Sequence, residues 1–554
     1  MRPSRREFLA GAAALPLAAG CGNAAAPGLR AASGMAATSQ KFASEAAASI
    51  LRDGGNAADA AVAAAAMLNL TEPMSTGLGG DMFALYYDAA ARTVSGLNGS
   101  GRAPAALTVD LLRRQGLVPL PVHHAHAVTV PGACAGWCDL IARHGSLPLS
   151  RLLAPAIRTA EEGFPVAAWT GHGWSGGRSL LKGPGRRDLL KDGRAPREGE
   201  TFRNPALARV LRAIGDGGKE AYYKGEIGRA VVAAVREEGG VLAAEDLAAH
   251  ESTWVEPIST TYRGLRVWEC PPNGQGITAL LALNVLEGFE LRGQDPLGPE
   301  RWHLLLEAMR VAFADARWFV ADPQKTEIPV RELLSREYAA RRRSLVDPRR
   351  ATIDVRRGSP VTGSDTVYFC VVDGAGNACS FINSNYMGFG TGIVPEGCGF
   401  SLQNRGACFV LEPGHPNCLE PGKRPYHTII PGMLTRSDGS LYGPFGVMGG
   451  FMQPQGHVQV VVGLVDDGLE PQAVLDRPRF CIQPVDGSES RVSLEAGVPE
   501  STVRALRGLG HPVLAGVSGY DRGLFGRGQV IRRDGDGTLS GGSDGRADGG
   551  VRSP

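Results

Sequence analysis

The spacing of apolar residues changes at Thr366, and this change limits the possible folds more than any other feature of the chain. Between residues 130 and 345 apolar residues recur at helical spacing, as in PERWHLLLEAMRVAFADARWFV. From Thr366 onward they form short runs typical of strands, such as YFCVVD, ACSFIN, GVMGG and HVQVVVGLV. Because helices and strands come in blocks and not in strict alternation, we predict an α+β fold in which helices cover a layered sheet sandwich.

Length, composition and charge exclude several classes of protein. The chain has 554 residues, of which 43% are apolar, and its formal net charge is +2. Such a chain can bury a substantial core, so we expect a globular protein. Because there is no basic surplus to meet phosphates, we expect no nucleic-acid partner.

Residues 1 to 21 have the pattern of an export signal. Arg5 and Arg6 precede a stretch of small apolar residues that ends at LAAGC, which is typical of a twin-arginine signal with a lipoprotein-type cleavage site. A short amphipathic helix is the alternative, but this stretch lacks the polar face that such a helix needs. We therefore predict export through the twin-arginine route, to the periplasm or to a membrane-tethered position outside the cytoplasm, with Cys21 as the candidate lipid anchor.

Residues 22 to 40 are rich in Ala, Gly and Ser, and this composition predicts a flexible tether, with folded structure beginning near Phe42. Two alanine-rich helices follow, SEAAASILRDGG and NAADAAVAAAAML, and Asn56 is the expected N-cap of the second. The chain contains ten cysteines. If Cys21 carries a lipid, nine remain, and an odd number leaves at least one thiol unpaired.

A metal site is the first of three possible chemistries. His123, His124 and His126, followed by Cys134 and Cys138, offer suitable ligand types. Three crowded imidazoles before VTVPG match no familiar zinc spacing, however. We therefore predict no metal and no cofactor.

A serine hydrolase is the second possibility, because the pattern G-x-S-x-G occurs at residues 173 to 177 and 541 to 545. A nucleophile elbow stands between a strand and a helix. Neither copy follows a predicted strand, so both are interpreted as loops.

The third possibility concerns Thr366 itself. A Thr at the N-terminus of a chain carries its own base, the α-amine, whose unperturbed pKa near 7.7 to 8.0 leaves roughly a tenth of it neutral at pH 7. This requires a cut between Asp365 and Thr366, where a polar GSD segment meets an apolar strand. The hydroxyl would attack the Asp365 carbonyl and water would release the new terminus. The alternative is that Thr366 simply begins a strand, as β-branched residues often do.

Segments from about residue 42 to about residue 548 resemble the gamma-glutamyltransferase (glutathione hydrolase) family of N-terminal-nucleophile hydrolases. The matching segments, in family order, include ASEAAASILRDGGNAADAAVAAAAMLNLTEPMSTGLGGDMF, VTVPGACAGW, PPNGQGITALLALNVLEGF, DTVYFCVVDGAGNACSFINSNYMGFGTGI, GKRPYHTIIPGML and GGFMQPQGHVQVVVGLVDDG. The resemblance implies a four-layer αββα sandwich. It also implies a proenzyme cut into a helix-rich large subunit, residues 41 to 365, and a small subunit, residues 366 to 554.

The resemblance also implies roles for individual residues. Thr366 would be nucleophile and α-amine base, and Ser384 would orient it. Gly449 and Gly450 would supply backbone donors for the oxyanion, which suits glycines because they let a loop aim N–H groups at developing charge.

The expected substrate pocket departs from the family pattern. Ser100 replaces the Arg that holds the substrate α-carboxylate, and Arg405 and Cys408 replace the amide and the acid that hold its α-amine. An Arg with no acid nearby repels an ammonium group, so a carboxylate without a free α-amine is the better substrate. We expect five residues to bind substrate: Arg102, Tyr386, Arg405, His427 and Thr428. Structural ion pairing is the alternative role for Arg102, Arg405 and His427.

These features leave three functions open. The first is a self-cleaving amidohydrolase that hydrolyses, or transfers to an amine, a gamma-glutamyl or similar acyl group from a small amide or peptide. The second is an acylase or amidase for dicarboxylic monoamides of the oxamate or glutaryl type. The third is a non-catalytic, lipid-tethered binding protein that has kept the fold.

Overall fold

The computed structural model describes residues 28–352, 365–484 and 490–554. Its strands are, in chain order, β1 (Leu29–Ala31), β2 (Met35–Thr38), β3 (Asp81–Asp88), β4 (Thr93–Gly99), β5 (Phe164–Pro165), β6 (Thr201–Phe202), β7 (Thr253–Val255), β8 (Ile258–Tyr262), β9 (Leu265–Glu269), β10 (Asp365–Val372), β11 (Ala378–Tyr386), β12 (Gly432–Thr435), β13 (Leu441–Met448), β14 (Phe480–Pro484), β15 (Ser490–Glu495), β16 (Val513–Val517), β17 (Arg527–Arg533), β18 (Leu539–Ser543) and β19 (Gly550–Arg552).

The helices are, in chain order, α1 (Lys41–Arg52), α2 (Ala57–Thr71), α3 (Val109–Arg114), α4 (Ala133–His144), α5 (Leu149–Glu162), α6 (Ala168–Gly177), α7 (Pro205–Tyr223), α8 (Glu226–Glu237), α9 (Ala244–Ala248), α10 (Gly276–Leu286), α11 (Pro299–Phe319), α12 (Val330–Leu333), α13 (Arg336–Arg343), α14 (Met452–Val465), α15 (Pro471–Asp476) and α16 (Glu500–Gly508). Within the described ranges, no helix is both long and apolar enough to cross a bilayer.

Two seven-stranded sheets form the centre of the molecule. The first sheet has the order β19-β2-β10-β11-β3-β4-β7, and the second has the order β1-β18-β17-β13-β12-β9-β8. They face each other closely: a Cβ added to Gly446 of the second sheet would lie 2.6 Å from the ring of Tyr368 in the first. A glycine is required where two sheets approach this near.

Helices cover the outer face of each sheet. The alanine-rich α2 lies against β10 and β11, with α1 and α5 beside it, and these elements share one apolar core. Across the molecule α10, α11 and α14 form a second core with the outer face of the second sheet. The layers therefore run helix, sheet, sheet, helix, and the predicted α+β αββα sandwich is confirmed.

Several local predictions are also confirmed. Asn56 caps α2, accepting hydrogen bonds from the backbone of Ala58 and Asp59, while Asp59 accepts one from the Asn56 N–H at 2.9 Å. The turn DGAGN joins β10 to β11, and Asp373 N–H donates to the Asn377 carbonyl at 3.0 Å. Turn and capping residues act locally, which is why they can be recognised in the sequence.

The predictions for the segment before Phe42 and for the run HVQVVVGLV are wrong. Residues 28 to 40 are not a flexible tether: Met35–Thr38 is completely buried as β2, paired with β10 on one side and β19 on the other. Small residues fit there because the neighbouring layers are close. The run HVQVVVGLV is not a strand but part of α14, a helix buried over most of its length. A short apolar run cannot be assigned by periodicity alone.

Cys21 and the predicted signal lie outside the described residues, as do residues 353 to 364 before the predicted cut. All nine of the other cysteines are described, and in that part of the chain none forms a disulfide.

Candidate active site

Thr366 and Ser384 meet at the end of the first sheet. The β10–β11 register changes between Asp365, opposite Tyr386, and Val367, opposite Asn383. An extra residue of β11 therefore bulges opposite Thr366, and a bulge of this kind re-aims side chains. Thr366 is completely buried, and its Oγ1 lies 3.0 Å from Ser384 Oγ. The structure thus brings together the predicted nucleophile and its predicted orienting residue.

The hydrogen bonds of Ser384 hold its hydroxyl beside Thr366. Ser384 Oγ accepts from the Tyr386 N–H at 2.8 Å and from Arg405 Nη2 at 3.3 Å. A hydroxyl has two acceptor positions and one proton. In the 3.0 Å contact between Ser384 Oγ and Thr366 Oγ1 either hydroxyl can be the donor. The Tyr386 N–H and Arg405 fix the position of Ser384, and Ser384 in turn fixes the position of the Thr366 hydroxyl.

Arg405 is a buried cation beside this pair. Its side chain is fully enclosed, and Nη1 donates to Thr428 Oγ1 at 2.8 Å. The guanidinium lies 4.4 Å from the centroid of the Tyr386 ring, within cation–π range. Among the described residues no acid is within ion-pair distance of Arg405, and its Nε has no hydrogen-bond partner. The charge is therefore held by hydroxyls and an aromatic face.

His427, by contrast, is already paired. Its Nε2 lies 3.1 Å from Asp81 Oδ2, and its Nδ1 accepts from the Ile429 N–H at 3.3 Å, so Nε2 carries the proton. Burial, with Arg405 and Arg424 nearby, lowers the pKa of His427 well below its ordinary value, so the imidazole is neutral. The ring nitrogens of His427 bond to Asp81 and to the Ile429 N–H, which holds the loop that carries Thr428.

Asp81 is an acid that the sequence interpretation missed. Burial raises its pKa to about 7, although Arg405 and the N–H groups of Gly101 and Gly132 oppose this shift. Asp81 opens β3 and pairs with Ser384 in the sheet. The expectation of no acid near Arg405 is therefore wrong, although Asp81 bonds to His427 and not to the guanidinium. A register position in a sheet cannot be inferred from the sequence of one strand.

Arg102 does not join the cluster. It is half-buried and donates to Gln324 Oε1 at 3.0 Å. Ser100 is buried and accepts at Oγ from Asn273 Nδ2 at 3.1 Å. Of the five predicted substrate-binding residues, the structure groups Arg405, Tyr386 and Thr428 around Ser384, with His427 behind them.

Gly449 and Gly450 form the turn between β13 and α14. Their φ angles are +132° and +60°, which favour glycine, and a Cβ on Gly449 would lie 3.2 Å from the Cα of Gly526. The Gly449 carbonyl accepts from the Met452 N–H at 3.0 Å. In a trans peptide the N–H points opposite to the carbonyl, so the Gly450 N–H points away from α14.

The histidine cluster near residue 123 does not converge. His123 Nδ1 lies 2.9 Å from the Gly390 carbonyl, and His126 Nε2 lies 2.7 Å from Gln115 Oε1. Cys134 is buried in α4. These side chains are used in separate contacts, so they do not form one ligand set.

One other group of ligand types is buried among the described residues: His303, Glu307 and His511. His511 Nε2 lies 2.8 Å from His303 Nδ1, and Arg310 Nη1 donates to both Glu307 (2.8 Å) and His511 Nδ1 (2.9 Å). The hydrogen bonds occupy the lone pairs that a cation would need, and a guanidinium already supplies the positive charge.

The two G-x-S-x-G patterns do not form nucleophile elbows. Residues 173 to 177 lie within α6, and residues 541 to 545 include the end of β18. Both were expected to be loops, but the first is helical and residues 541 to 543 of the second lie in β18. Neither lies at a strand-to-helix turn.

Comparison with known proteins gives a consistent result. The family model described as gamma-glutamyltranspeptidase matches residues 43–553. A glutathione hydrolase-like YwrD proenzyme of Bacillus subtilis strain 168 is 36% identical over 92% of this chain and 96% of its own length. An oxamate amidohydrolase proenzyme of Klebsiella pneumoniae is 33% identical over 93% of this chain and 97% of its own. The crystal structure of a cephalosporin acylase from Bacillus halodurans superposes with a TM-score of 0.89 at 43% identity, covering 98% of this chain and 99% of that one.

Proposed function

The chain belongs to the gamma-glutamyltranspeptidase family, and from this premise we propose that Thr366 is its nucleophile and that its acyl substrate carries a free carboxylate. It is a self-processing amidohydrolase of the N-terminal-nucleophile type. The site residues and the acyl group are the proposal, and the geometry around Thr366 supports it.

Self-cleavage would use the same hydroxyl as substrate turnover. Thr366 Oγ1 attacks the Asp365 carbonyl carbon, the peptide C–N bond breaks, and the acyl group moves to oxygen as an ester while nitrogen takes the proton. That shift already frees the Thr366 α-amine, and water then hydrolyses the ester, which restores the Thr366 hydroxyl and leaves a carboxylate on Asp365. The products would be a large chain ending at Asp365 and a small chain of 189 residues (554 − 365).

In the mature enzyme the free α-amine would accept the Thr366 proton as Oγ1 attacks the substrate amide. The N–H groups of the Gly449–Gly450 turn would hold the oxyanion, because they are fixed before charge develops. The leaving amine takes the proton, and water resolves the acyl-enzyme. Ser384 keeps the nucleophile oriented throughout.

One observation carries the proposal about the acyl group. Arg405 is a fully buried guanidinium that donates hydrogen bonds to the neutral hydroxyls of Thr428 and Ser384. A buried cation needs a countercharge to offset its desolvation, and a carboxylate matches guanidinium geometry. Because Arg405 is one hydrogen bond from Ser384, the carboxylate would lie close to the reacting carbonyl. A short dicarboxylic monoamide fits this arrangement.

A gamma-glutamyl group is the second candidate. Its support is Asp81, which lies in the same buried cluster and reduces the positive charge around Arg405. A relative named for glutathione hydrolysis points the same way.

The first test is mass analysis of the purified protein under denaturing conditions. We expect two chains, the smaller beginning at Thr366, whereas Thr366→Ala should stay whole and inactive because no hydroxyl remains to attack. An intact parent chain that stays intact on incubation would support the non-catalytic binding protein instead.

The second test compares glutaryl and gamma-glutamyl p-nitroanilides on the processed enzyme. They differ by one α-ammonium group, and repulsion by Arg405 should lower kcat/KM for the gamma-glutamyl compound by about tenfold or more. Equal or better use of the gamma-glutamyl compound would favour the second candidate.

We also propose export through the twin-arginine route, supported by Arg5, Arg6 and the apolar stretch after them. Replacing both arginines with lysine should retain the protein in the cytoplasm on fractionation. Labelling with radioactive palmitate, lost in Cys21→Ser, would test the lipid anchor.

A further inference from the structure

Gln275 links the loop that carries Thr428 to the turn that carries Gly450. Its Nε2 donates to the Thr428 carbonyl at 2.7 Å and to the Gly450 carbonyl at 2.8 Å. Thr428 anchors Arg405, and Gly450 belongs to the turn proposed to hold the oxyanion. We propose that Gln275 is a positioning residue that sets the distance between the acyl-carboxylate clamp and the oxyanion turn; this inference rests on the proposed function.

The amide orientation of Gln275 is determined by its surroundings. Two carbonyl oxygens can be met only by the NH₂ end, which has two protons. Oε1 at the other end accepts from Tyr426 Oη at 2.9 Å. Gln275 is fully buried, and its backbone N–H donates to the His427 carbonyl at 2.9 Å. Every polar group that Gln275 offers toward the site therefore has a partner.

Gln275 holds two loops at these carbonyls, and the Ile430 N–H joins the same two regions by donating to Gln453 Oε1 at 3.0 Å. The Gly450 carbonyl also accepts from the Gln453 N–H at 3.1 Å, so it is held from α14 and from Gln275. This carbonyl belongs to the Gly450–Phe451 peptide, so holding it restricts the backbone of Gly450 and thereby the turn that carries the Gly449 and Gly450 N–H groups. On the other side the Thr428 backbone is held while its hydroxyl binds Arg405 at 2.8 Å.

The bridge also crosses the proposed cut. Gln275 lies before Thr366 in the chain, whereas Thr428 and Gly450 lie after it. After cleavage the large chain would therefore position both halves of the site in the small chain. The same turn would serve the self-cleavage step, so loss of the bridge should slow processing as well as turnover.

The test is Gln275→Met, which keeps the length and apolar volume of the side chain but removes both donors. With glutaryl p-nitroanilide, and rates normalised to the amount of processed small chain, we expect kcat to fall about tenfold or more, somewhat less than loss of a direct oxyanion donor. KM should rise as well, because the clamp loosens at the same time.

The matched control is Gln459→Met. Gln459 Nε2 also donates to two carbonyls, those of Gln455 at 3.0 Å and Phe480 at 3.2 Å, but none of these residues belongs to the site. Its kcat and KM should stay within about twofold of the parent. An equal loss in both variants would assign the effect to general packing and overturn the inference.

Tyr426→Phe keeps the inference testable if Gln275→Met does not fold. It removes the donor that orients the amide and leaves both carbonyls in place, so we expect a smaller fall in kcat, about threefold. If Gln275→Met folds and its kcat equals that of the parent, the inference about Gln275 is overturned but the proposed function is not. If Gln275→Met is insoluble, a parental kcat in Tyr426→Phe has the same meaning. A parent protein that neither cleaves itself nor turns over substrate overturns the proposed function too.

Discussion

At the scale of single residues, the surroundings of Arg405 favour substrate binding over structural ion pairing. The alternative to substrate binding was structural ion pairing, but the neutral His427 only donates a hydrogen bond to an acid, Asp81, at 3.1 Å. Arg405 has no acid within ion-pair distance in the described chain, and instead bonds to Thr428 and Ser384. Removing a charged group from water costs several kcal/mol unless a partner offsets it. A substrate carboxylate would supply that partner.

We therefore expect Arg405→Gln to impair dicarboxylic substrates selectively. Loss of a charged hydrogen bond of about 1.5 to 3 kcal/mol should lower kcat/KM for glutaryl p-nitroanilide by roughly 10- to 100-fold. The gamma-glutamyl compound should lose less, because its ammonium group is no longer repelled. Arg102→Gln is the comparison, and should change kcat/KM by less than about threefold because Arg102 bonds to Gln324. Equal losses for both acyl groups would contradict the role of Arg405.

At the scale of elements, β2 supports the strand that carries the nucleophile, although its sequence was predicted to be a flexible tether. Met35–Thr38 lies between β10 and β19, with Ala37 opposite Cys370 and Val551. β10, the strand that carries Thr366, is thus paired with β2 on one side and with β11 on the other. An edge left by removal of β2 would expose unpaired backbone groups beside the nucleophile strand.

Truncation tests this arrangement. A chain lacking residues 1 to 40 should be largely insoluble or uncleaved, because β10 loses a buried neighbour, whereas a chain lacking residues 1 to 27 retains every described strand and should cleave normally. For each truncated variant, solubility is measured together with the yield of the two cleavage products on denaturing gels. Normal cleavage of the shorter chain would show that β2 is dispensable.

At the scale of the whole molecule, buried neutral histidines should make stability depend on pH. Burial, reinforced by Arg310 and His303, lowers the pKa of His511 to about 3. Burial, reinforced by Arg424, does the same for His250, also to about 3. An unfolded His titrates near 6.5, so below that pH the unfolded chain binds protons that the folded chain does not. Each such group therefore makes the free energy of unfolding fall as pH drops from 6.5 toward 3.

His511→Gln isolates one of these contributions. Between pH 6.5 and 4.5 the free energy of unfolding of the parent should fall more steeply than that of His511→Gln, by up to about 1.4 kcal/mol per pH unit. Urea unfolding curves measure both free energies. His172→Gln, at an exposed position, should keep the parental slope. Identical slopes for the parent and His511→Gln would show that burial of this imidazole does not govern the acid response.

The sequence by itself determined what depends on short stretches of chain. Blocks of helix and strand predicted the α+β class, the cap at Asn56 and the DGAGN turn follow from local hydrogen bonding, and the resemblance to a known family led to Thr366, Ser384 and the Gly449–Gly450 turn. The helix cap and the turn could be predicted because propensity, capping and turn chemistry act between near neighbours.

Only the tertiary structure decided which distant residues share a site and which segments are buried. Asp81 reaches Ser384 through strand register, Gln275 reaches Thr428 and Gly450 across the proposed cut, and Arg102 is directed away to Gln324. HVQVVVGLV lies in a buried helix, and Met35–Thr38 is a buried strand. The physical reason is the same in each case: pairing and desolvation depend on neighbours far away in sequence, and no local pattern records them.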